Sequence, residues 1–391
     1  MNRVTIAIPV LLVGGTEVQT TALVRALAGS QNTVTVCCYF EYDPRVVDSL
    51  RDAGAEVHLL QRPRTENLLT LFLGLRRYFR RHQPDLVHVQ HLAPAFVPML
   101  AARAARVRTL CASVHQPGRT YGWKARRLMK LASRLCDTIF CVSQAVERSW
   151  FGDSLVYSPD RSARDRRHWT IYDALDLSRM DEALASSSAD DLRLSLGLQD
   201  RTVLGCVGRL RWEKGQKTLI DALATLLKED PSLMLVLIGD GPDRVKLERL
   251  AADLRVSQSV MWLGSLTHED VLRHYGVMDV VAVPSVFEGF GLTAAEAMAA
   301  GRAIVATAVD GLKEVVVDGD SGILVPPNDP PALAKAIGDL LGDDDLRTRL
   351  ASRARARAKD FSYERFCSLT VPAHASLLSP RVARQRRSLQ Q

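Results

Sequence analysis

Short apolar runs alternate with helix-patterned segments along this chain, and the alternation restarts midway. That is the pattern of parallel sheets wound on both faces by helices. A parallel crossover needs a dozen or more residues, and a strand covered on both faces is apolar throughout. The runs 4–13, 33–40, 56–60, 86–90, 109–115 and 138–142 are predicted strands, with helices at 18–28 and 68–81 among them. The pattern begins again with strands at 202–207, 233–238, 260–262, 280–283, 303–306 and 323–325, separated by helices such as 216–227 and 245–254. At 391 residues the chain exceeds what a single hydrophobic core serves. The expected class is therefore α/β, with two doubly wound domains. The seam is expected between Asp176 and Asp200, where residues 186–191 are small and polar. This gives a first domain over 1–180 and a second over 181–360. A last helix over 361–378 precedes a basic tail at 379–391. Residues 153–168 read as an irregular surface loop.

Ligand chemistry concentrates in the run from Pro284 to Ala299. A glycine turn carries Glu288 and Gly289-Phe290-Gly291-Leu292, and Glu296 follows inside the next helix. The glycines let backbone approach closely, and a helix start with unpaired N–H groups suits phosphate. Carboxylates beside such a site are poor phosphate ligands but good acceptors for sugar hydroxyls. Glu296 lies on an otherwise apolar helix face, where an unpartnered charge is costly. Together these features point to a ligand that is half diphosphate and half polyol. A second constellation is Gly208-Arg209-Leu210-Arg211-Trp212-Glu213-Lys214-Gly215, which follows a strand and opens a helix. Arg209 can grip two phosphate oxygens, and Lys214 adds a mobile point charge. Gly14 and Gly15 occupy the turn after the first strand, and His115 stands at the end of the fifth, where parallel sheets bind ligands. His88 reads as a buried structural residue, with His91 just beyond it.

Net charge is +7 with a pI near 9.1, consistent with an anionic substrate or an anionic membrane surface. Two basic amphipathic segments fit the latter. In 119–131, Trp123 and leucines stand among cations; in 68–81, Arg76, Arg77, Arg80 and Arg81 follow a leucine-rich stretch. Neither lies in a nucleic-acid module, so no nucleic-acid partner is expected. Seven cysteines show no zinc spacing and no Cys-x-x-Cys, which suggests reduced thiols and a cytoplasmic setting. The apolar run at 1–13 lacks a small-x-small cleavage site and continues into a helical pattern, so it reads as a strand rather than a leader. No apolar run is long enough to span a bilayer. The dinucleotide fingerprint Gly-x-Gly-x-x-Gly is absent, which weighs against a nicotinamide enzyme.

The order Gly14-Gly15, His115, Gly208-Arg209 with Lys214-Gly215, Gly239-Asp240-Gly241-Pro242, and Glu288 with Glu296 resembles glycosyltransferase family 4. The likeness covers nearly the whole chain and is most specific over 203–326. It implies two Rossmann-like domains facing each other across a cleft (the GT-B fold) and retaining hexosyl transfer from a nucleotide sugar. The donor would sit on the second domain and a glycan or lipid-linked acceptor on the first, and the last helix would cross back. Carried over, Arg209 and Lys214 neutralise the diphosphate, Glu288 lies by the transferred sugar, and Glu296 takes the ribose hydroxyls. Backbone of Phe290, Gly291 and Leu292 meets sugar and phosphate. Ser265 and Leu266 border the base, and Gly15 and His115 close over the donor. No cofactor or metal is implied, and no Asp-x-Asp metal motif stands in the expected place. One departure concerns the hinge, where the family often carries Pro-Asn-Gly-x-Asp and this chain has Tyr172-Asp173-Ala174-Leu175-Asp176. Peripheral contact with the inner face of an anionic membrane is a further expectation. A sugar-nucleotide epimerase and a silent nucleotide-binding protein are the alternative readings.

Overall fold

The computed structural model describes residues 1–90, 96–186 and 188–379. His91, Ser187 and the basic tail past Ser379 lie outside the described residues. Two all-parallel sheets form two lobes. The first contains β1 (Arg3–Ile8), β2 (Thr33–Cys38), β3 (Ala55–Leu59), β4 (Leu86–Gln90), β5 (Thr109–Val114), β6 (Thr138–Cys141) and β7 (His168–Thr170), in the order β3-β2-β1-β4-β5-β6-β7. The second contains β8 (Val203–Val207), β9 (Met234–Ile238), β10 (Val260–Gly264), β11 (Val280–Val283), β12 (Ala303–Thr307) and β13 (Ile323–Val325), in the order β10-β9-β8-β11-β12-β13. Each sheet reverses its winding once, between β1 and β4 and between β8 and β11. Crevices at such reversals are where open α/β sheets bind ligands.

Two strand expectations need correction. The first strand stops at Ile8 rather than Val13, because Pro9 has no N–H to continue the ladder. Its carbonyl still accepts from Phe40 N at 2.9 Å. The three-residue β7 closes the edge of the first sheet and follows the loop expected at 153–168. Elsewhere strands and helices fall within one to three residues of expectation.

The chain crosses between the lobes near Leu175. Helix Leu177–Ala185 already packs on helix His268–Tyr275 of the second lobe. Just before it, the outgoing chain meets the returning chain. Leu175 N donates to Phe361 O at 2.8 Å, and Tyr363 N donates to Leu175 O at 2.7 Å. Gln19 clamps the adjacent Ala174 from both sides, donating to its carbonyl at 2.8 Å and accepting from its N–H at 2.7 Å. Helix Tyr363–Leu378 then lies back against helix Gly15–Gly29 of the first lobe. His374 anchors it there. His374 Nδ1–H donates to Thr370 O, its Nε2 accepts from His88 Nδ1 at 3.0 Å, and His88 Nε2 accepts from Ser113 Oγ at 2.8 Å. This chain satisfies both buried imidazoles in their neutral form.

The core does not divide at the lobe boundary. One buried cluster runs from Leu75 and Val97 of the first lobe to Phe290 and Leu312 of the second. All seven cysteines are free thiols, six of them buried. Among the described residues, no helix is long and apolar enough to cross a membrane.

Candidate functional site

The two constellations of the second lobe meet because β8 and β11 are neighbours at the winding reversal. After β8 the chain turns through Gly208 and a short 3-10 segment, Trp212–Lys214, to Gly215. Gly215 has φ +70°, and a Cβ there would sit 1.9 Å from Pro284 O, so only glycine lets the two loops touch. Val286 N donates to Glu213 O at 2.8 Å across the same contact. The result is that Lys214 Nζ bonds both oxygens of Glu288, at 2.9 and 2.8 Å. Both side chains are largely shielded from solvent. Arg209 is exposed on the same loop, and its charge reaches Glu17 of the first lobe.

Glu296 is 6% exposed on helix Leu292–Ala299, as its apolar surroundings imply. His268 Nε2 donates to one oxygen at 2.9 Å, and Tyr275 Oη donates to the other at 3.1 Å. These partners were missed from sequence. They sit seven residues apart, two turns of one helix and hence one face, which was the available signal. A cavity of about 320 Å³ opens between the lobes at this point, lined by Gly14, Leu266, His268, Leu292 and Glu296 among others. Ser265 is exposed beside Leu266 but does not line that cavity.

The first lobe closes over the turn that carries Glu288. A Cβ on Gly289 would lie 1.9 Å from His115 O, and Ser143 Oγ donates to Gly289 O at 2.6 Å. His115 Nε2 bonds Gln90 Oε1 at 2.7 Å, which ties its ring to the end of β4. Gly291, with φ +102°, caps the helix at Leu292, and Leu292 lies 3.5 Å from where Gly15 would carry a Cβ. The Phe290 ring points away into the hinge core, 5.2 Å from the Phe361 ring, leaving only its backbone for the cleft. Further contacts bind the lobes. Glu314 accepts from the N–H groups of Gln144 and Ala145, at 2.9 and 2.6 Å, so a carboxylate of one lobe caps a helix of the other. Tyr172 Oη joins the same carboxylate at 3.0 Å, and Arg119 pairs with Asp310.

The first-lobe turn differs in one respect from a bare anion cradle. Glu17, 8% exposed, turns its carboxyl back onto this turn, with Oε2 2.9 Å from where Gly14 would carry a Cβ, so a carboxyl already occupies that helix start. Burial pushes its pKa up, against the pull of the nearby backbone N–H groups of Glu17 and Leu12 and of the Arg209 charge.

The structure thus brings Lys214, Glu288, Gly289, Gly291 and His115 to one side of the cleft floor. Gly14, Gly15, Leu266, Leu292 and Glu296 gather at the other, with Arg209 at the rim. The basic helices lie elsewhere on the first lobe. Helices Leu68–His82 and Trp123–Ala132 both pack on the helix between them, Phe96–Ala104. They expose Leu68, Leu69, Leu73, Trp123, Leu128 and Leu131, whereas Leu71 and Leu75 face the core.

Comparison with known proteins identifies this arrangement. Residues 189–357 match the family model of glycosyl transferases group 1, and residues 13–152 match that of glycosyltransferase family 4. A D-inositol 3-phosphate glycosyltransferase of Corynebacterium urealyticum is 40% identical over 198 residues, 49% of this chain and 47% of that protein. The chain therefore spans about half the length of that relative. A GDP-mannose-dependent phosphatidylinositol monomannoside mannosyltransferase of Mycolicibacterium smegmatis is 31% identical over 317 residues, 74% of this chain and 76% of that protein. Among solved structures, Anabaena HepE in complex with UDP-glucose shares the fold with a TM-score of 0.82 at 23% identity, covering 96% of this chain and 100% of that one. With a relative matched over three quarters of its length and both family models satisfied in sequence order, the chain belongs to the group 1 glycosyltransferases, glycosyltransferase family 4.

Proposed function

We propose that this protein is a retaining glycosyltransferase. It moves a hexose from a nucleotide-diphosphate sugar to a glycan or lipid-linked acceptor, in building cell-envelope or exported polysaccharide. The observation that carries this reading is the Lys214–Glu288 pair at the cleft floor, with Arg209 at the rim and Glu296 beside the cavity. A nucleotide sugar needs these groups in this order. Glu296 accepts from the ribose hydroxyls, Leu266 and Ser265 border the base, and Arg209 and Lys214 hold the diphosphate. Glu288, His115 and the backbone of Gly289 to Leu292 surround the sugar. Two of the ammonium's three donors serve Glu288, leaving the third for phosphate.

In the step itself the C1–oxygen bond to the diphosphate breaks, and the electron pair leaves with the phosphate. The acceptor oxygen bonds C1 from the same face, and its proton passes to a departing phosphate oxygen. Preorganised cations stabilise the charge that develops there. Arg209 and Lys214 supply that charge, so no metal or cofactor is assigned to the step.

A thermal-shift panel of UDP-, GDP- and ADP-sugars identifies the donor, because a ligand of the folded state raises its stability. Radiolabelled donor then tests turnover, which Glu288→Ala and Lys214→Ala abolish. Unchanged turnover in both variants, or no stabilisation by any nucleotide sugar, defeats the reading.

The paired basic helices of the first lobe fit peripheral attachment to an anionic membrane, facing the cytoplasm. Their exposed leucines and Trp123 stand among Arg77, Arg80, Arg81, Lys124, Arg126, Arg127 and Lys130. Vesicles containing anionic lipid are expected to sediment the protein, and salt to release it. Equal sedimentation with neutral vesicles refutes the attachment.

A further inference from the structure

Beneath His115 lies a second, much smaller cavity of about 40 Å³, lined by Gln19, Gln90, Ser113, His115, Asp173 and Thr370 among others. It is too small for a sugar ring but large enough for a hydroxyl or hydroxymethyl arm, since one water in the liquid takes about 30 Å³. Its wall carries an unsatisfied polar atom, Thr370 Oγ1, in a residue 2% exposed. Asp173 is one of the hinge residues that depart from the family pattern, standing where Asn is often found. Its carboxyl has no hydrogen-bond or ion-pair partner among the described residues, and the like charge of Glu288 acts on it. Its backbone is fixed, because Gln19 clamps Ala174 next to it.

We propose that Asp173 is a specificity-determining residue that reads a hydroxyl of the transferred sugar by hydrogen bonding to it. The argument rests on the nucleotide-sugar reading given above. Glu288 and His115, between which that reading places the sugar, flank Asp173 at the cleft floor. Desolvation, reinforced by Glu288, pushes the Asp173 pKa up to about 8, so at neutral pH the group carries a proton to donate. Among the described residues, the other titratable groups facing the cavity are His115, His88, His374 and Cys141. Burial keeps His88 and His374 neutral by lowering their pKa values, and keeps Cys141 neutral by raising its own. The nearby Lys214 ammonium is committed to Glu288, bonding both of its oxygens.

The test compares binding with and without the sugar, so it needs no acceptor. Calorimetry gives the affinity ratio of UDP-glucose to UDP, and of GDP-mannose to GDP, between pH 7 and 9. In the wild type the ratio for the bound pair is expected to fall about ten-fold as Asp173 ionises. Asp173→Asn, an amide that donates at every pH, should hold the ratio level. Asp173→Leu should lower it at pH 7 without changing nucleoside-diphosphate affinity. A wild-type ratio that stays constant, or an equal fall in Asp173→Asn, overturns this inference while leaving the proposed function intact. Binding of neither nucleotide pair defeats the proposed function and this inference with it.

Discussion

Replacing Gly289 by alanine separates donor binding from catalysis. The added methyl carbon would sit 1.9 Å from the His115 carbonyl oxygen, and real Cβ atoms essentially never approach closer than 3.0 Å. The carbonyl stands on the opposite lobe and belongs to a chain tied down through the bond from His115 to Gln90. Relief therefore has to come from the lobes, which must part by roughly 1.1 Å at the cleft floor. The Ser143 hydroxyl then loses its 2.6 Å bond to Gly289 O, worth about 1 kcal/mol. Lys214 and Glu296, the second-lobe groups that the proposed function gives to the donor, lie outside this gap. Nucleoside-diphosphate affinity by calorimetry should thus change by less than about three-fold, under 1 kcal/mol. Turnover needs groups from both lobes in register, and a displacement near 1 Å costs on the order of 100-fold. The assay is donor turnover under saturating nucleotide sugar, with circular dichroism and thermal unfolding as the control for folding. Full turnover in Gly289→Ala would refute the reasoning, because the close approach would then have no catalytic meaning.

Three other outcomes follow from the same geometry. His374 is fully buried with its pKa lowered to about 4 by desolvation, and an unfolded chain binds that proton near 6.5. The unfolded state thus takes up the proton first, and stability falls as pH drops from 6.5 towards 4, by about 2 kcal/mol at pH 5. Urea midpoints of the wild type against His374→Gln at pH 7 and pH 5 check this, and equal losses in both proteins refute it. Tyr275→Phe removes one of two hydrogen bonds to the buried Glu296 carboxylate. It should alter nucleoside-diphosphate affinity by about five-fold or more, with the fold unchanged; unaltered affinity would detach Glu296 from the donor. Glu314→Ala uncaps the helix at Gln144 in the facing lobe, so small-angle scattering should report a larger radius of gyration, and an unchanged radius removes the latch.

Much of this architecture was legible because the strands are buried on both faces. Val280 to Val283 and Ala303 to Thr307 are wholly buried and read as unbroken apolar runs. The strand at His168 escaped notice for the opposite reason. It has three residues, sits at the sheet edge and follows Arg166-Arg167, so neither length nor hydropathy marked it. Within the site, Glu296 could be singled out as a charge on an apolar face, but its placement required helix His268–Tyr275 to arrive from elsewhere in the lobe. The bond between Lys214 and Glu288 joins residues 74 positions apart, and the Gln19 clamp on Ala174 spans 155. Contacts at such separations depend on strand order, and β8 beside β11 is set by the winding reversal rather than by adjacency in the chain.

The same reversal explains why the hinge and the site share residues. Outgoing and returning chains pair at Leu175 and Ser362, and that pairing lies three residues from Tyr172, which bonds the Glu314 latch. Phe290 leaves the Glu288 turn to pack against Tyr172 and Phe361, so that turn is built into the pivot. Rotation of one lobe about Leu175 therefore cannot leave Glu288 fixed relative to the first lobe. It changes the distance from Glu288 to Asp173 and to His115 together, because both stand on the other side of the pivot. On the proposed function, closing the lobes would also assemble the sugar site, so loosening the pivot should lower turnover without weakening the binding assigned to Glu296. Phe361→Ala supplies that loosening. A loss of turnover with unchanged nucleoside-diphosphate affinity fits a pivot that serves catalysis, and parallel losses in both would place the aromatic cluster in donor binding instead.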